Sequence, residues 1–485
     1  MAAETIQQQQ LHILFFPLMA QGHLLPTLDM ARLFAARGVK TTIVTTPLNA
    51  HIFTKPLDRA ATNSRSIRID ISVIEFPAVE SGLPEGLENL DLVTSPEIHR
   101  KFFDATAKLQ QPLERLIQEL CPNGLVADMF FPWATDSASK YGIPRLVFHG
   151  TSFFSMCAME SVMVHKPHKM VSSEDEQFFL PGLPDQIQLR KQQLADHIRL
   201  EFENDFTRLL DRAKESEKRS YGMIVNSFYE LEPGYVDHYR NVLGRRAWHV
   251  GPVSLCNRDA EDKAMRGKMD AVDEHGCLKW LDSKKPNSVV YVCFGTVSKF
   301  PDLQLREIAM GLEASGQEFI WVVRKKKEED EQTEWLPEGF EQRMEGKGLI
   351  VRGWAPQVAI LEHESVGGFV THCGWNSALE GVSAGLPLVT WPVFAEQFFN
   401  EKLITDVLKI GVGVGAQQWV RFVGDFVKEE AIEKAVNAIM VGKRAEEMRS
   451  KAKALGLMAK AAIDESGSSY NDLSALIEEL RLYRA

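Results

Sequence analysis

The residues best suited to chemistry lie in one segment of the C-terminal half, between Trp354 and Gln397. It reads WAPQVAILEHESVGGFVTHCGWNSALEGVSAGLPLVTWPVFAEQ. The Trp354 ring can stack on a nucleobase, and the Glu380 carboxylate can accept hydrogen bonds from ribose hydroxyls. Glu396 and Gln397 add two neighbouring polar groups that suit a sugar. Each residue alone would indicate little, but their joint occurrence in this order predicts a nucleotide-sugar site.

The middle of this segment predicts a strand that runs into a helix. Val366–Thr371 is a short apolar run bounded by turn signals, and Gly374 lets the chain turn sharply. Asn376 and Ser377 are typical helix-start residues. A helix that begins just after a strand directs free N–H groups and its positive dipole end at the edge of the sheet, which suits a pyrophosphate. His372 and the hydroxyl of Ser377 add further donors.

A second group of candidates follows two predicted strands of the N-terminal half. His23 follows the strand 12–17, and Asp128 ends the strand 124–128. Open α/β sheets bind ligands at the carboxyl ends of their strands, and a carboxylate beside a histidine stabilises its imidazolium. The pair predicts His23 as a general base with Asp128 as its partner. We expect the dipole of the following helix to keep His23 neutral, and we expect Asp136, a competing acid, to face solvent.

Composition favours a globular protein without a nucleic-acid partner. The 485 residues exceed one ordinary core, and 45% are hydrophobic. The formal net charge of −11 argues against a nucleic-acid partner, which requires a basic face. The six cysteines form no Cys-x-x-Cys pair. The start MAAETIQQQQ lacks the pattern of a signal peptide, and no apolar stretch reaches the roughly 18 residues of a membrane span. We therefore expect a cytoplasmic monomer without a transmembrane segment.

The order of predicted elements indicates two α/β domains. A strand–helix–strand opening over residues 12–46, continued to a last N-terminal strand at 223–227, predicts one doubly wound parallel sheet. A new strand at 288–294 begins a second sheet, after a polar stretch with Gly and Pro. The expected divisions are a first domain at 1–250, a linker at 251–268, a second domain at 269–465, and a C-terminal helix within 466–485 that packs back on the first domain.

The segment 354–397 resembles, without a gap, the signature box of plant UDP-dependent secondary-product glycosyltransferases, and the similarity extends over nearly the whole chain. The resemblance implies a GT-B fold, in which two Rossmann-like domains with doubly wound parallel sheets face a cleft. It implies that the first domain binds an acceptor and the second a UDP-sugar. It also implies that His23 is the general base and that Asp128 is its partner.

The resemblance also implies a donor-binding role for eleven residues of the box and for two residues outside it. The implied set is Trp354 and the backbone of Ala355 at uracil, Gln357 and Glu380 at the ribose, Thr296, His372, Gly374, Asn376 and Ser377 at the diphosphate, Trp375, Glu396 and Gln397 at the sugar hydroxyls, and Thr151 reaching the donor from the N-terminal side. The chain departs from the family pattern at Glu396, where aspartate is frequent, and has Thr296 where serine is also common.

These residues predict an inverting transfer of glucose from UDP-glucose to a hydroxyl of a small apolar acceptor, giving a β-O-glucoside. Loops 83–92, 149–154 and 186–202 are rich in Phe, Met and Leu, which suits flavonoids, coumarins, other phenolics or terpenoids. UDP-glucose is the only co-substrate expected, and no metal is expected because the chain has no Asp-x-Asp pair. Two alternatives stay open: a non-catalytic UDP-sugar-binding protein, which would not need His23 and Asp128, and a transferase for another UDP-hexose.

Overall fold

The N-terminal half is built around a parallel sheet with the strand order β3-β2-β1-β4-β5-β8-β9. Its strands are β1 His12–Phe16, β2 Lys40–Thr45, β3 Ile69–Val73, β4 Gly124–Asp128, β5 Arg145–Phe148, β8 Gly222–Val225 and β9 Ala247–His249. Every residue of β1 and β4 is buried, as expected for a parallel sheet covered on both faces. The strand order reverses between β1 and β4, so the ends of these two strands form the sheet's natural ligand crevice.

The C-terminal half repeats this arrangement with the order β12-β11-β10-β13-β14-β15. Its strands are β10 Val289–Cys293, β11 Glu318–Val323, β12 Gly348–Arg352, β13 Val366–Thr371, β14 Leu388–Thr390 and β15 Gly411–Gly413. The order reverses between β10 and β13, whose register pairs Cys293 with Thr371. A separate antiparallel hairpin, β6 Gln177–Phe179 with β7 Gln188–Arg190, belongs to the N-terminal half.

Helices connect the strands and cover both sheets. Their bounds are α1 Gln21–Ala35, α2 His51–Thr62, α3 Pro96–Ala107, α4 Gln110–Leu120, α5 Trp133–Lys140, α6 Phe153–His165, α7 Asp196–Arg199, α8 Asp205–Arg219, α9 Pro233–Asp237, α10 Glu274–Asp282, α11 Asp302–Ser315, α12 Phe340–Arg343, α13 Gln357–Leu361, α14 Trp375–Ser383, α15 Gln397–Lys402, α16 Glu429–Met440, α17 Ala445–Ile463 and α18 Ser468–Leu482. Among the helices described, none is long and apolar enough to cross a bilayer.

These bounds come from a computed structural model. Helix α1 begins at Gln21, so His23 lies inside its first turn. One sequence expectation is corrected. The strand at 222–225 is not the last of its sheet, because β9 pairs with it in parallel. A three-residue strand is too short to show periodicity. The residues described are 10–62, 68–257, 263, 266, 274–323 and 335–483, so the predicted linker is described only at 251–257, 263 and 266.

The last helix, α18, packs on the N-terminal sheet. Its buried residues Leu473, Leu476, Ile477 and Leu480 join the same apolar cluster as Ile13 and Trp248. The Asp472 carboxylate accepts hydrogen bonds from Arg240 Nη2 at 2.5 Å and from the backbone N–H of His249 at 2.8 Å. The C-terminal end of the chain is therefore attached to the first sheet by both apolar and polar contacts.

We predict that Leu476→Ala destabilises the protein by about 2–5 kcal/mol, because it leaves a cavity in a packed cluster. Leu476 is fully buried, whereas Leu482 on the same helix is 75% exposed, so Leu482→Ala is the matched control. Thermal unfolding should show a clear fall in midpoint for the first variant and almost none for the second. Equal midpoints would contradict the packing of α18 on the N-terminal sheet.

Candidate active site

His23 and Asp128 meet at the crevice of the N-terminal sheet. His23 Nδ1 lies 2.6 Å from Asp128 Oδ2; the histidine side chain is 22% exposed and the carboxylate is fully buried. The second carboxylate oxygen, Oδ1, accepts the backbone N–H of Phe130 at 3.1 Å. With Nδ1 donating to Asp128, the ring nitrogen left to accept a proton is Nε2. The arrangement is that of a histidine base held and oriented by a buried carboxylate.

The pKa of His23 is set by opposing influences of burial and of nearby carboxylates. Burial is the largest influence and lowers the pKa of His23, but the charge and hydrogen bond of Asp128 raise it, with smaller help from Asp91 and Glu396. The net result is a pKa above the ordinary value. The nearby carboxylates, Asp128 above all, therefore outweigh burial.

In the C-terminal half, His372 directly follows β13, and its imidazole is uncharged. Burial lowers the pKa of His372 to about 4. The ring lies directly beside two glycines: a Cβ on Gly295 would come within 2.7 Å of it, and one on Gly374 within 2.4 Å. Larger residues at either position would displace the ring. His372 can therefore donate a hydrogen bond to an anion at this edge without carrying a charge itself.

Three polar side chains form a network at the start of α14. Gln357 Nε2 donates to Glu380 Oε2 at 2.7 Å and to Ser377 Oγ at 3.1 Å. The other oxygen of Glu380 accepts from Arg266 Nη1, and Arg266 Nε lies 2.9 Å from Asp29 Oδ2. The ion pairs join the predicted linker to α1 and to α14. Arg266 was not foreseen from the sequence, because its partners lie far away along the chain.

The side chains of Trp375 and Asn376 connect the two halves. The indole N–H of Trp375 donates to the carbonyl of Asn226 at 2.7 Å, and Asn376 Nδ2 donates to the carbonyl of Gly22 at 2.7 Å. Asn226 Nδ2 in turn lies 3.4 Å from Asn376 Oδ1. The indole N–H is thus engaged, which leaves the backbone N–H groups at the start of α14 to face a ligand.

Glu396 and Gln397 lie where α15 begins. Burial raises the pKa of Glu396, and the nearby charges of His149 and His23 act in the opposite direction. Asn400 Nδ2 donates to Glu396 Oε1 at 3.1 Å and to the carbonyl of Cys373 at 2.8 Å. Gln397 Oε1 accepts two backbone N–H groups, which leaves its amide nitrogen for other partners. His23 is among the groups whose charge acts on Glu396, so Glu396 lies within electrostatic reach of the predicted base.

Thr151 and Thr296 each follow a glycine that lies close to one of the two histidine rings. Thr151 is buried, with a hydroxyl that has no hydrogen-bond partner among the described residues, and a Cβ on the preceding Gly150 would lie 3.7 Å from the His23 ring. Thr296 follows β10 in a turn. Trp354 is half-buried and packs partly against the N-terminal apolar cluster. The carbonyl of Ala355 accepts the N–H of Gln357 at 2.8 Å, so its N–H is the backbone group left for a base.

Comparison with known proteins identifies the family. Residues 9–255 match the model of the glycosyltransferase N-terminal domain, and residues 255–449 match that of the UDP-glucoronosyl and UDP-glucosyl transferases. A scopoletin glucosyltransferase of Nicotiana tabacum is 58% identical over 98% of both chains. A UDP-glucose flavonoid 3-O-glucosyltransferase of Fragaria ananassa is 55% identical over 99% of this chain and 98% of its own. This chain belongs to the UDP-glycosyltransferase family.

Solved structures confirm the GT-B fold of this UDP-glycosyltransferase. Glycyrrhiza uralensis UGT73P12, solved with glycyrrhetinic acid 3-O-monoglucuronide, superposes with a TM-score of 0.90 at 45% identity and covers 98% of this chain and 96% of its own. Medicago truncatula UGT71G1, solved with UDP-glucose, gives a TM-score of 0.78 at 27% identity over 98% and 99% of the two chains. The sequence predictions of family, fold and transferase activity are confirmed.

Asp136 is exposed and pairs with Arg219 at 2.5 Å, away from His23, as expected for the competing acid. Within the described ranges, no group of three or more His, Cys, Asp or Glu side chains could hold a metal ion. The sequence did not point to Asn226, Arg266 or Asn400. Asn226 and Arg266 contact the signature segment from distant parts of the chain, where no local pattern marks a partner. Asn400 lies just after the segment and contacts Glu396 and Cys373 within it.

We predict that Asp128→Asn lowers the pKa of His23 in this UDP-glycosyltransferase. Burial, which lowers that pKa, persists in the variant, whereas the carboxylate charge that raises it is lost. NMR titration of the histidine ring signals would measure the shift, with the His23 signal assigned by its absence in His23→Gln. Asp136→Asn, which removes an exposed carboxylate, should leave the pKa of His23 unchanged. A wild-type pKa of His23 below about 6.5, or one that Asp128→Asn does not change, would contradict the conclusion that Asp128 raises it.

Proposed function

We propose that the enzyme transfers glucose from UDP-glucose to a hydroxyl of a small, flat, apolar acceptor with inversion at the anomeric carbon. The observation that carries the proposal is the buried His23–Asp128 pair at one sheet edge, opposite the start of α14 on the other. A base and a diphosphate-binding helix start on two sides of one gap suit a single displacement. The relatives named as glucosyltransferases of scopoletin and of a flavonoid support the donor and the acceptor class.

In the proposed reaction the acceptor O–H lies at His23 Nε2 and gives up its proton as the oxygen attacks the anomeric carbon. The imidazolium that forms is stabilised by the Asp128 carboxylate at 2.6 Å. The bond from the anomeric carbon to the UDP oxygen breaks on the opposite face. The negative charge that develops on UDP is met by the N–H groups at the start of α14 and by His372, which hold fixed positions throughout. The proton ends on His23 and then passes to solvent.

For the donor, we propose that Trp354 stacks on uracil, Gln357 and Glu380 hold the ribose, and Glu396 and Gln397 contact the sugar. Two observations support this assignment. The Gln357–Glu380 hydrogen bond of 2.7 Å presents a carboxylate and an amide side by side. The charge of Glu396 helps to raise the pKa of His23, which favours a sugar site beside the proposed base. The backbone of Ala355 and Gly374, with Thr151, Thr296, Asn376 and Ser377, completes the proposed contacts.

We propose that residues 1–250 bind the acceptor, 269–465 bind the UDP-sugar, and 251–268 link them, with a C-terminal helix in 466–485 attached to the first domain. The packing of α18 on the first sheet and the two family matches that meet at residue 255 support this division. We also propose that the enzyme works as a cytoplasmic monomer without a metal, since helix dipoles and His372 suffice for the diphosphate charge. Unchanged turnover after dialysis against a chelator is the expected result.

We predict that His23→Ala lowers turnover by roughly a hundredfold or more, the usual scale for losing a general base. UDP affinity should change little, because the proposed UDP contacts lie in the other half. His165→Ala, an exposed histidine on α6, is the matched control and should turn over normally. UDP release with a phenolic acceptor measures the effect, and a more acidic phenol should partly rescue the His23 variant. Near-normal turnover of His23→Ala would refute the proposed base.

We predict that UDP-glucose outcompetes UDP-galactose and UDP-glucuronate at equal concentration. An inverted hydroxyl leaves a buried polar group unpaired, and the uronate carboxylate is repelled by Glu396 once that group is ionised. Because burial raises the pKa of Glu396, the discrimination against the uronate should grow as the pH rises. Glu396→Gln should increase the relative use of UDP-glucuronate by roughly tenfold, or about 1.4 kcal/mol. Mass spectrometry distinguishes the glucuronide, and chromatography against glucoside and galactoside standards distinguishes the two isomeric hexosides. Preference for the uronate in the wild type would refute the sugar site.

A further inference from the structure

A row of half-buried aromatic rings leads away from His23. The Phe130 ring centroid lies 6.0 Å from that of His23, and the Phe206 centroid lies 6.3 Å from Phe130 with nearly parallel planes. Phe103 closes the group, 5.3 Å from Phe130 and 5.5 Å from Phe206. We call Phe103, Phe130 and Phe206 the aromatic wall. Its rings are contributed by α3, by the loop after β4 and by α8, so it extends from the catalytic edge across the N-terminal half.

A cationic side chain from the C-terminal half, Arg421, lies at the end of the aromatic wall that is remote from His23. The Arg421 guanidinium carbon lies 5.4 Å from the Phe206 ring centroid and 4.8 Å from that of Phe422. Arg421 Nη2 donates to His99 Nε2 at 2.6 Å. Near it, the backbone N–H of Trp419 donates to the carbonyl of Gln192 at 2.9 Å, which holds the loop against the N-terminal half. Arg421 is therefore fixed at one end of the gap, with His23 near the other.

No carboxylate neutralises this cation within the described ranges. Burial alone lowers the pKa of Arg421, and its one polar side-chain partner is His99. Burial first, and then the charge of Arg421, lower the pKa of His99 to about 4, so the ring is a neutral acceptor. The pKa of His197 is lowered as well, by burial first and by Arg421 in part, although Asp211 and Asp196 act to raise it. A half-buried cation without a counter-charge is costly, which favours a ligand that supplies one.

We propose that Arg421 and the aromatic wall form an acceptor subsite for a planar phenol that carries a carboxylate at the end remote from the reacting hydroxyl. The inference rests on the proposed transfer reaction and deepens it by naming the acceptor chemistry. Flat rings stack on the wall, the hydroxyl reaches His23, and the N–H groups of Arg421 not used by His99 pair with the carboxylate. The structural alternative is that Arg421 only stacks on Phe206 and Phe422 and attaches its loop to the N-terminal half.

A matched acceptor pair separates the two roles. 7-Hydroxycoumarin-3-carboxylate and its ethyl ester share the reacting hydroxyl and the flat bicycle, and differ in charge at the opposite end. Their fluorescence allows the dissociation constant to be measured without donor, and UDP release gives kcat and KM. The wild type should bind the acid about tenfold more tightly than the ester. Arg421→Gln should abolish that preference, mainly through KM, and leave the ester within about twofold. Arg421→Lys should keep part of the preference.

Lys428→Gln is the matched control, because it removes a nearby exposed cation that stacks on Phe426, and it should keep the full preference. Parallel loss of acid and ester binding in Arg421→Gln, or no preference in the wild type, would overturn the subsite. These outcomes are distinct from failure of the proposed reaction. If the preference in binding depends on Arg421 while neither acceptor leads to UDP release, the subsite stands and the proposed transfer to such phenols fails.

Discussion

The position of the whole site depends on two hydrogen bonds between the halves of the protein. Asn376 donates to the carbonyl of Gly22 and the indole of Trp375 to that of Asn226, both at 2.7 Å. The first holds the first turn of α14 against the first turn of α1, and the second holds it against the residue that follows β8. The proposed base is one residue from Gly22, so these contacts set its distance from the helix start proposed to bind the diphosphate. Much of the rate of a two-substrate transfer comes from holding both partners at such a fixed separation.

The same geometry creates an electrostatic arrangement without a conventional cationic phosphate site. The N-termini of α1 and α14 both open on the gap and contribute positive potential. The backbone N–H of Gln21 in α1 donates to Asp91 Oδ2 at 3.1 Å, and Asp128 faces His23. His372 stays neutral because burial lowers its pKa to about 4. Under the proposed donor assignment, fixed dipoles receive the donor's charge, so a chain with a net charge of −11 can bind an anionic nucleotide.

Local sequence patterns were sufficient to predict the presence of both sheets, the His23–Asp128 pair and the signature segment. His23, Asp128 and the segment each lie where a strand, a turn and a helix start follow one another in the chain. From the sequence, only a local effect, the helix dipole, was weighed for the pKa of His23, whereas folding brings within 2.6 Å a carboxylate that raises that pKa. The short strands β3, β9 and β15 were also missed. The pairing of β9 with β8 is set by tertiary packing. The contact of Arg421 with His99, 322 residues away, has no signal in either segment.

The predicted linker has a structural role beyond connecting two domains. Asp29 of α1, 1% exposed, accepts from Asn257 Nδ2 at 2.9 Å and pairs with Arg266, which also pairs with Glu380. Removal of Arg266 would leave two buried carboxylates short of a counter-charge, a change that typically costs about 3–5 kcal/mol. Under the proposed donor assignment, ribose hydroxyls that approach Glu380 must share a carboxylate that already holds the linker and α1. Donor binding and the relative position of the two halves are then coupled through that carboxylate, and each must alter the free energy of the other.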